Sequence, residues 1–139
     1  MKKGFLIICI FILCAGSFCF AVEDGVDVKI ITKTGYSWDG KSLPVYSAKK
    51  PEITILKITI PPGVTLPMHR HPVINAGYMI KGKLSVYTEN GSMLSLKEGD
   101  SIVEVVDTWH YGKNEGNVPA VIIVFYAGYE AEPITIYKK

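Results

Sequence analysis

From Val26 onward the chain runs in short stretches where apolar and β-branched side chains dominate, and no stretch keeps a helical apolar period for three turns. Val26 to Thr32, Glu52 to Ile60, Tyr78 to Lys81, Lys83 to Thr88, Ser92 to Lys97, Ser101 to Val106 and Ala120 to Tyr126 are rich in Val, Ile, Thr and Tyr. Gly, Pro, Asn or Asp bounds them, so each is predicted to be a strand. Asn90-Gly91 predicts a hairpin with a type I′ turn, which needs positive φ at both central residues. Pro61-Pro62-Gly63 ends one strand, and the irregular stretch from Gly35 to Lys50 reads as an N-terminal arm over a barrel edge. Many short strands in one chain of 139 residues predict an all-β sandwich or small barrel.

The first residues follow a different pattern. Lys2 and Lys3 precede an uncharged apolar run from Phe5 to Phe20, and Cys19-Phe20-Ala21 offers small side chains where a signal peptidase cuts. The expected organisation is a signal peptide over 1–21, an arm with an edge strand over 22–50 and a barrel domain over 51–139. Export to a periplasm or extracellular space follows. An uncleaved anchor would need roughly 20 apolar residues, more than this run supplies, and no cysteine sits directly after a small residue as a lipoprotein requires. After cleavage no stable membrane anchor is expected.

Cleavage also removes two of the 15 basic residues and none of the 13 acidic ones, so the formal charge falls from +2 to zero. A neutral chain makes no electrostatic case for nucleic-acid binding, which needs clustered Lys and Arg. Cys9, Cys14 and Cys19 leave as well, which excludes thiol catalysis, zinc–cysteine sites and disulfides from the mature form. The serines lack a nucleophile-elbow context, and no glycine-rich loop opens a helix for phosphate.

The chain holds three histidines: His69, His71 and His110. Spacing i, i+2 in a strand puts His69 and His71 on one face. His110 follows the predicted strand Ser101 to Val106. Imidazole is a common ligand for zinc, iron, copper and nickel, and three converging imidazoles can hold one ion. The competing reading, three ordinary half-buried histidines, is weakened by all of them falling on one motif.

Gly63, five residues, His69-Arg70-His71, Asn75 and Gly82 resemble the first motif of the cupin superfamily; Gly99, five residues, Val105, Asp107, His110 and Asn114 have the spacing of the second. The segments Pro67 to Pro72 and Asp107 to His110 look like those of small exported single-domain cupins. The resemblance implies a small double-stranded β-helix, or jelly-roll barrel, with a divalent metal inside, and commonly a homodimer. The ion is Fe, Zn, Ni, Cu or Mn, held by His69, His71 and His110. The family's usual glutamate ligand is replaced by Asn75, and its usual proline and glycine by Val105 and Asp107. Asn75 is either a weak amide ligand or a residue that orients a histidine. Without the glutamate, the charge of a divalent ion stays uncompensated, which favours an anionic ligand.

Glu104 interrupts the apolar run Ile102 to Val106. It is a candidate catalytic base, a replacement ligand or a partner for a histidine, against an outward-facing strand residue. If Asn75 faces inward, Gly77 leaves room beside the metal or marks a bulge, and Met79 lines an apolar wall or packs the core. Arg70, between two inward histidines, points outward. Trp109 and Tyr111 rim the pocket mouth or pack, and Met68 sits at the barrel lip. Two functions compete: a metal-dependent enzyme acting on a small molecule by oxygenase-like, lyase or isomerase chemistry, or a metal-centred module that binds without chemistry. A scaffold with a vestigial site is a third. The orientation of Glu104 discriminates the first two.

Overall fold

The computed structural model describes residues 27–139, so the expected signal peptide and its cleavage point lie outside the described residues. Residues 31–139 form one compact unit, and among the described residues there is no helix. Nine strands follow in order: β1 (Pro51–Ile60), β2 (His69–Arg70), β3 (Ile74–Lys81), β4 (Lys83–Thr88), β5 (Met93–Lys97), β6 (Ser101–Val103), β7 (His110–Lys113), β8 (Ala120–Tyr129) and β9 (Ile136–Tyr137). They pair antiparallel into a four-stranded sheet, β1-β8-β3-β6, and a five-stranded sheet, β5-β4-β7-β2-β9. The chain is therefore all-β, with the double-stranded barrel architecture expected of it.

Register decides which side chains face inward. In the four-stranded sheet Ile58 lies opposite Ile122, Leu56 opposite Val124, Met79 opposite Ile122 and Gly77 opposite Ile102. Because side chains alternate with period 2, these rows share the inner face. They pack with Leu84, Val86 and Leu96 of the other sheet to make the core. Burying each such aliphatic side chain contributes about 1.5–3 kcal/mol.

Two motif residues hold the fold and take no part in the site. Asn114 is fully buried; its Nδ2 donates to Ile60 O (2.9 Å) and Val118 O (2.8 Å), and its Oδ1 accepts from Gly116 N (2.9 Å), tying the end of β1 to the β7–β8 loop. Gly82 sits at φ +77, and a Cβ there would lie 2.6 Å from Pro119 O, so only glycine fits between β3 and β4.

Several sequence expectations are corrected. No strand occupies 27–32, although Val26 to Thr32 was expected to be one; no neighbouring strand pairs with it. Within the arm, a Tyr36–Ser42 bridge closes a turn. β3 starts at Ile74, β8 runs on to Tyr129, and β6 ends at Val103, short of the expected Val106. The hairpin at Asn90-Gly91 exists, but only Gly91 has positive φ, and Gly91 N donates to Thr88 O at 3.0 Å. The connection is a wider turn ending in a left-handed glycine, not a type I′ turn. β2, β7 and β9 escaped the sequence reading because strands of two to four residues are too short to show an alternating period.

Candidate metal centre

His69 and His110 face each other across the β2–β7 pair, and His71 follows β2, held by a parallel bridge to Val106. The three rings converge, with centroids 4.5–5.0 Å apart, and one ligand atom from each lies within 4.8 Å of the others. Backbone carbonyls fix their tautomers. His69 Nδ1 bonds Pro67 O at 2.7 Å, His71 Nδ1 bonds Ile134 O at 2.8 Å, and His110 Nδ1 bonds Thr108 O at 2.8 Å. A carbonyl only accepts, so each Nδ1 carries the proton and each Nε2 keeps a free lone pair.

Burial completes the preparation. It pushes His71 down to about 4 and lowers His69 and His110, so all three rings stay neutral near pH 7, the form that binds a metal. His110 Nε2 is buried with no hydrogen-bond partner. An orphaned imidazole nitrogen among two others is the donor set of a divalent transition ion, so the residues fit the group expected from the sequence.

Glu104 shares the cavity. Its Oε2 lies 3.8 Å from His110 Nε2 and is buried with no partner. Burial pushes the carboxyl up to about 7, against smaller lowering effects of His69, the Val105 backbone N–H and the Trp38 indole N–H. The expected alternative, an outward-facing Glu104, does not hold.

Asn75 is buried beside it, with neither amide atom hydrogen-bonded. Tyr126, opposite Asn75 on β8, packs edge-on against His71 at 5.2 Å between centroids. Burial and then the nearby Glu104 charge push its phenol up to about 12, which keeps it neutral.

The cavity itself has a volume of about 50 Å³ and is lined by the three histidines, Glu104, Gly112 and the aliphatic side chains of Ile58, Ile60, Leu66, Leu84, Val86, Ile122 and Val124. That volume holds a few water-sized groups.

Other expected residues fall elsewhere. A Cβ on Gly77 would lie 2.8 Å from Ile122 Cδ1 and 3.2 Å from Ile102 Cγ2, so Gly77 leaves no room beside a metal; Ile122 has filled it. The irregularity in β3 lies between Met79 and Lys81 instead of at Gly77. Met79 is fully buried in the core and does not line the cavity. Arg70 points away as expected, bonding Asp107 Oδ1 at 2.9 Å and lying 5.3 Å over the Trp109 ring. Trp109 and Tyr111 do not line the cavity: Trp109 lies under Arg70 and Lys138, and Tyr111 stacks on Tyr87. Met68 is half-buried, and its carbonyl accepts from Lys138 N at 2.9 Å. Trp38 and Tyr126 were not singled out in the sequence. A lone tryptophan between Ser37 and Asp39 in a polar stretch was the available signal for the first; only strand register reveals the second.

Comparison with known proteins gives one family. The profile of the cupin domain family matches residues 56–126, half of the chain. No curated protein matches the sequence. Among solved structures, an uncharacterized double-stranded β-helix protein from Klebsiella pneumoniae superposes with TM-score 0.55 at 20% identity, over 68% of this chain and 90% of its own. The DMSP lyase DddQ of Ruegeria pomeroyi gives 0.54 at 19%, over 62% of this chain and 43% of its own. Oxalate decarboxylase of Bacillus subtilis gives 0.51 at 23%, over 65% and 24%. This chain thus spans under half the length of either enzyme, and what it shares with them is the fold. With the matching profile, the two motifs in order and the barrel that carries them, the chain belongs to the cupin domain family.

Proposed function

We propose that this chain is an exported, metal-dependent enzyme acting on a small anionic molecule. The observation that supports this reading best is the Glu104 carboxylate, buried and unpartnered in the same cavity as three imidazoles. A pure binding module has no use for a proton acceptor there, and a buried charge without a partner is costly. His69, His71 and His110 would hold the ion through Nε2, since each Nδ1 is taken. A divalent ion held there would supply Lewis-acid polarisation of a bound oxygen.

The chain's own groups do the rest. Glu104, poised near 7, takes a proton from the bound molecule and returns it, since a base titrating near the working pH is most effective. The aliphatic wall excludes bulk water and admits only a small molecule, or the reactive end of a larger one. Lyase and isomerase steps would begin with such a proton transfer, whereas oxygenase-like chemistry would also need a redox-active ion as electron donor. We also propose a homodimer, formed through the exposed apolar outer face of the four-stranded sheet, where Ile55 lies directly opposite Phe125.

The test begins with elemental analysis of Val22 to Lys139 beside a His69→Ala, His71→Ala, His110→Ala variant. About one ion per chain is expected in the parent and none in the variant. A parent still empty after incubation with iron, zinc, nickel, copper and manganese would sink the reading. The loaded protein is then assayed on small carboxylates, with oxalate and DMSP among them, beside Glu104→Gln. Turnover by the parent alone supports the enzyme. Equal binding by both, with turnover by neither, leaves a metal-centred binding module.

A further inference from the structure

Buried side-chain polar atoms rarely lack a hydrogen-bond partner, since each orphan costs about 1–3 kcal/mol. Among the described residues the orphans are Trp38 Nε1, Arg70 Nε, both amide atoms of Asn75, Glu104 Oε2 and His110 Nε2. His110 Nε2 has its explanation in the metal centre, and Arg70 Nε lies on the outward side. The other four atoms belong to Trp38, Asn75 and Glu104.

The topology brings these three together. Ala76 lies opposite Val103 in the β3–β6 pair, and the ladder continues one step, with Glu104 N donating to Asn75 O at 3.1 Å. Asn75 and Glu104 are therefore directly opposed and share the inner face, where Cβ atoms of such a pair sit about 5 Å apart. From the other side, Trp38 N donates to Val103 O at 2.9 Å, so the arm docks on the residue just before Glu104. The Tyr36–Ser42 bridge closes the turn, and Trp38 packs against the core. Segment 103–104 is held between β3 and the arm. Trp38 and Asn75, whose backbones bond Val103 and Glu104, thus each carry a buried N–H donor without an acceptor, and Glu104 carries a buried oxygen without a donor.

We infer that Trp38 and Asn75 are positioning residues that hold the Glu104 carboxylate at the metal centre through their side-chain N–H groups. The carboxylate that position 75 lacks is supplied from the strand opposite, and the arm that secures it lies outside the segment matched by the cupin profile. The role this gives Glu104 rests on the proposed function, whereas the contact itself does not. Trp38 already bears on the Glu104 carboxyl by lowering its pKa, which agrees with their placement.

The test is an amide and indole ¹H–¹⁵N NMR spectrum of the metal-free chain. Two indole peaks are expected, from Trp38 and Trp109, assigned with Trp38→Phe. Glu104→Gln, which keeps shape and removes charge, should shift the Trp38 indole peak and the Asn75 side-chain peaks while the Trp109 indole stays in place. In the parent, a nuclear Overhauser contact should join the Trp38 indole proton to the Glu104 methylenes, so the outcome does not depend on the variant folding. Unmoved Trp38 and Asn75 peaks, or a parent without that contact, would overturn the inference whatever the metal content. Moved peaks in a chain that binds no metal would leave the positioning intact and remove the proposed function.

Discussion

The two sheets of the barrel contribute different chemistry. The five-stranded sheet brings the histidines: His69 on β2, His110 on β7, and His71 on the segment after β2. The four-stranded sheet brings Asn75 on β3 and Glu104 just past β6. Their outer faces differ too. On the five-stranded sheet Glu115 accepts from Ser85 Oγ (2.9 Å), Tyr87 OH (3.1 Å) and Lys113 Nζ (3.1 Å), and Tyr87 stacks on Tyr111. That face satisfies itself. The other sheet leaves Ile53 63%, Ile55 57% and Phe125 50% exposed. The site lies at the seam between a sheet finished on its outside and one that is not, and contiguous exposed apolar surface marks an interface.

The largest expected effect tests that contrast. Ile55→Lys with Phe125→Lys places two charges on a directly opposed pair in the centre of the apolar face. Sedimentation should show the parent as a dimer and this variant at half the mass. Met93→Lys, at an equally exposed position on β5, should leave the parent mass unchanged. A monomeric parent at micromolar concentration, or equal masses for both variants, would break the comparison.

The same contrast explains what could be read from sequence. Imidazoles on two short segments at family spacing are legible because chain distance carries the pattern: His69, His71 and His110 needed no register. Most strands were legible from β-branched runs. Glu104 stood out as a charge in an apolar run, but its pairing with Asn75 was not legible, because the two are 29 positions apart and become neighbours only through the β3–β6 ladder. Gly77 misled for a related reason. Period 2 correctly turned it inward, but Ile122 of β8, a strand paired from far along the chain, decides whether the space stays open. Trp38 was missed because it sits in an arm with no periodicity at all.

A second, smaller effect separates the two sheets by pH in the metal-free chain. His71 is 5% exposed, and its pKa drops from the ordinary 6.5 to about 4. The unfolded chain therefore binds its proton first as pH falls, and stability present above pH 6.5 is lost towards pH 4, by about 3 kcal/mol. His69 and His110 act in the same direction. Glu104 acts oppositely: raised from 4.5 to about 7, it favours the folded state fully below pH 4.5, and this is lost as pH rises to 7. The terms offset each other in the parent. Glu104→Gln should steepen the acid loss between pH 6.5 and 4.5 by about 2–3 kcal/mol in urea titrations. Parallel curves for parent and variant would mean that Glu104 does not titrate at the site.

The smallest effect sits on the seam itself. Asp107 stands where the family's second motif carries glycine, and its φ of +51 is the left-handed conformation that glycine adopts freely. A residue with a side chain costs about 1–2 kcal/mol there, less for Asp than for most. Asp107 also bonds Arg70 at 2.9 Å in a pair whose side chains are 35% and 56% exposed, worth about 0–1 kcal/mol. Asp107→Gly relieves the backbone and loses the pair, so the two should nearly cancel, within about 0.5 kcal/mol. Asp107→Ala keeps the strain and loses the pair, and should be about 1 kcal/mol less stable than the glycine variant. Metal content should not change in either, because the pair lies on the outward side of β2. Asp107 N still donates to His71 O at 2.8 Å in both variants, and that backbone bond, rather than the carboxylate, ties the second motif to the first. A fall in metal content with Asp107→Gly would show instead that the Arg70 pair holds His71 in place.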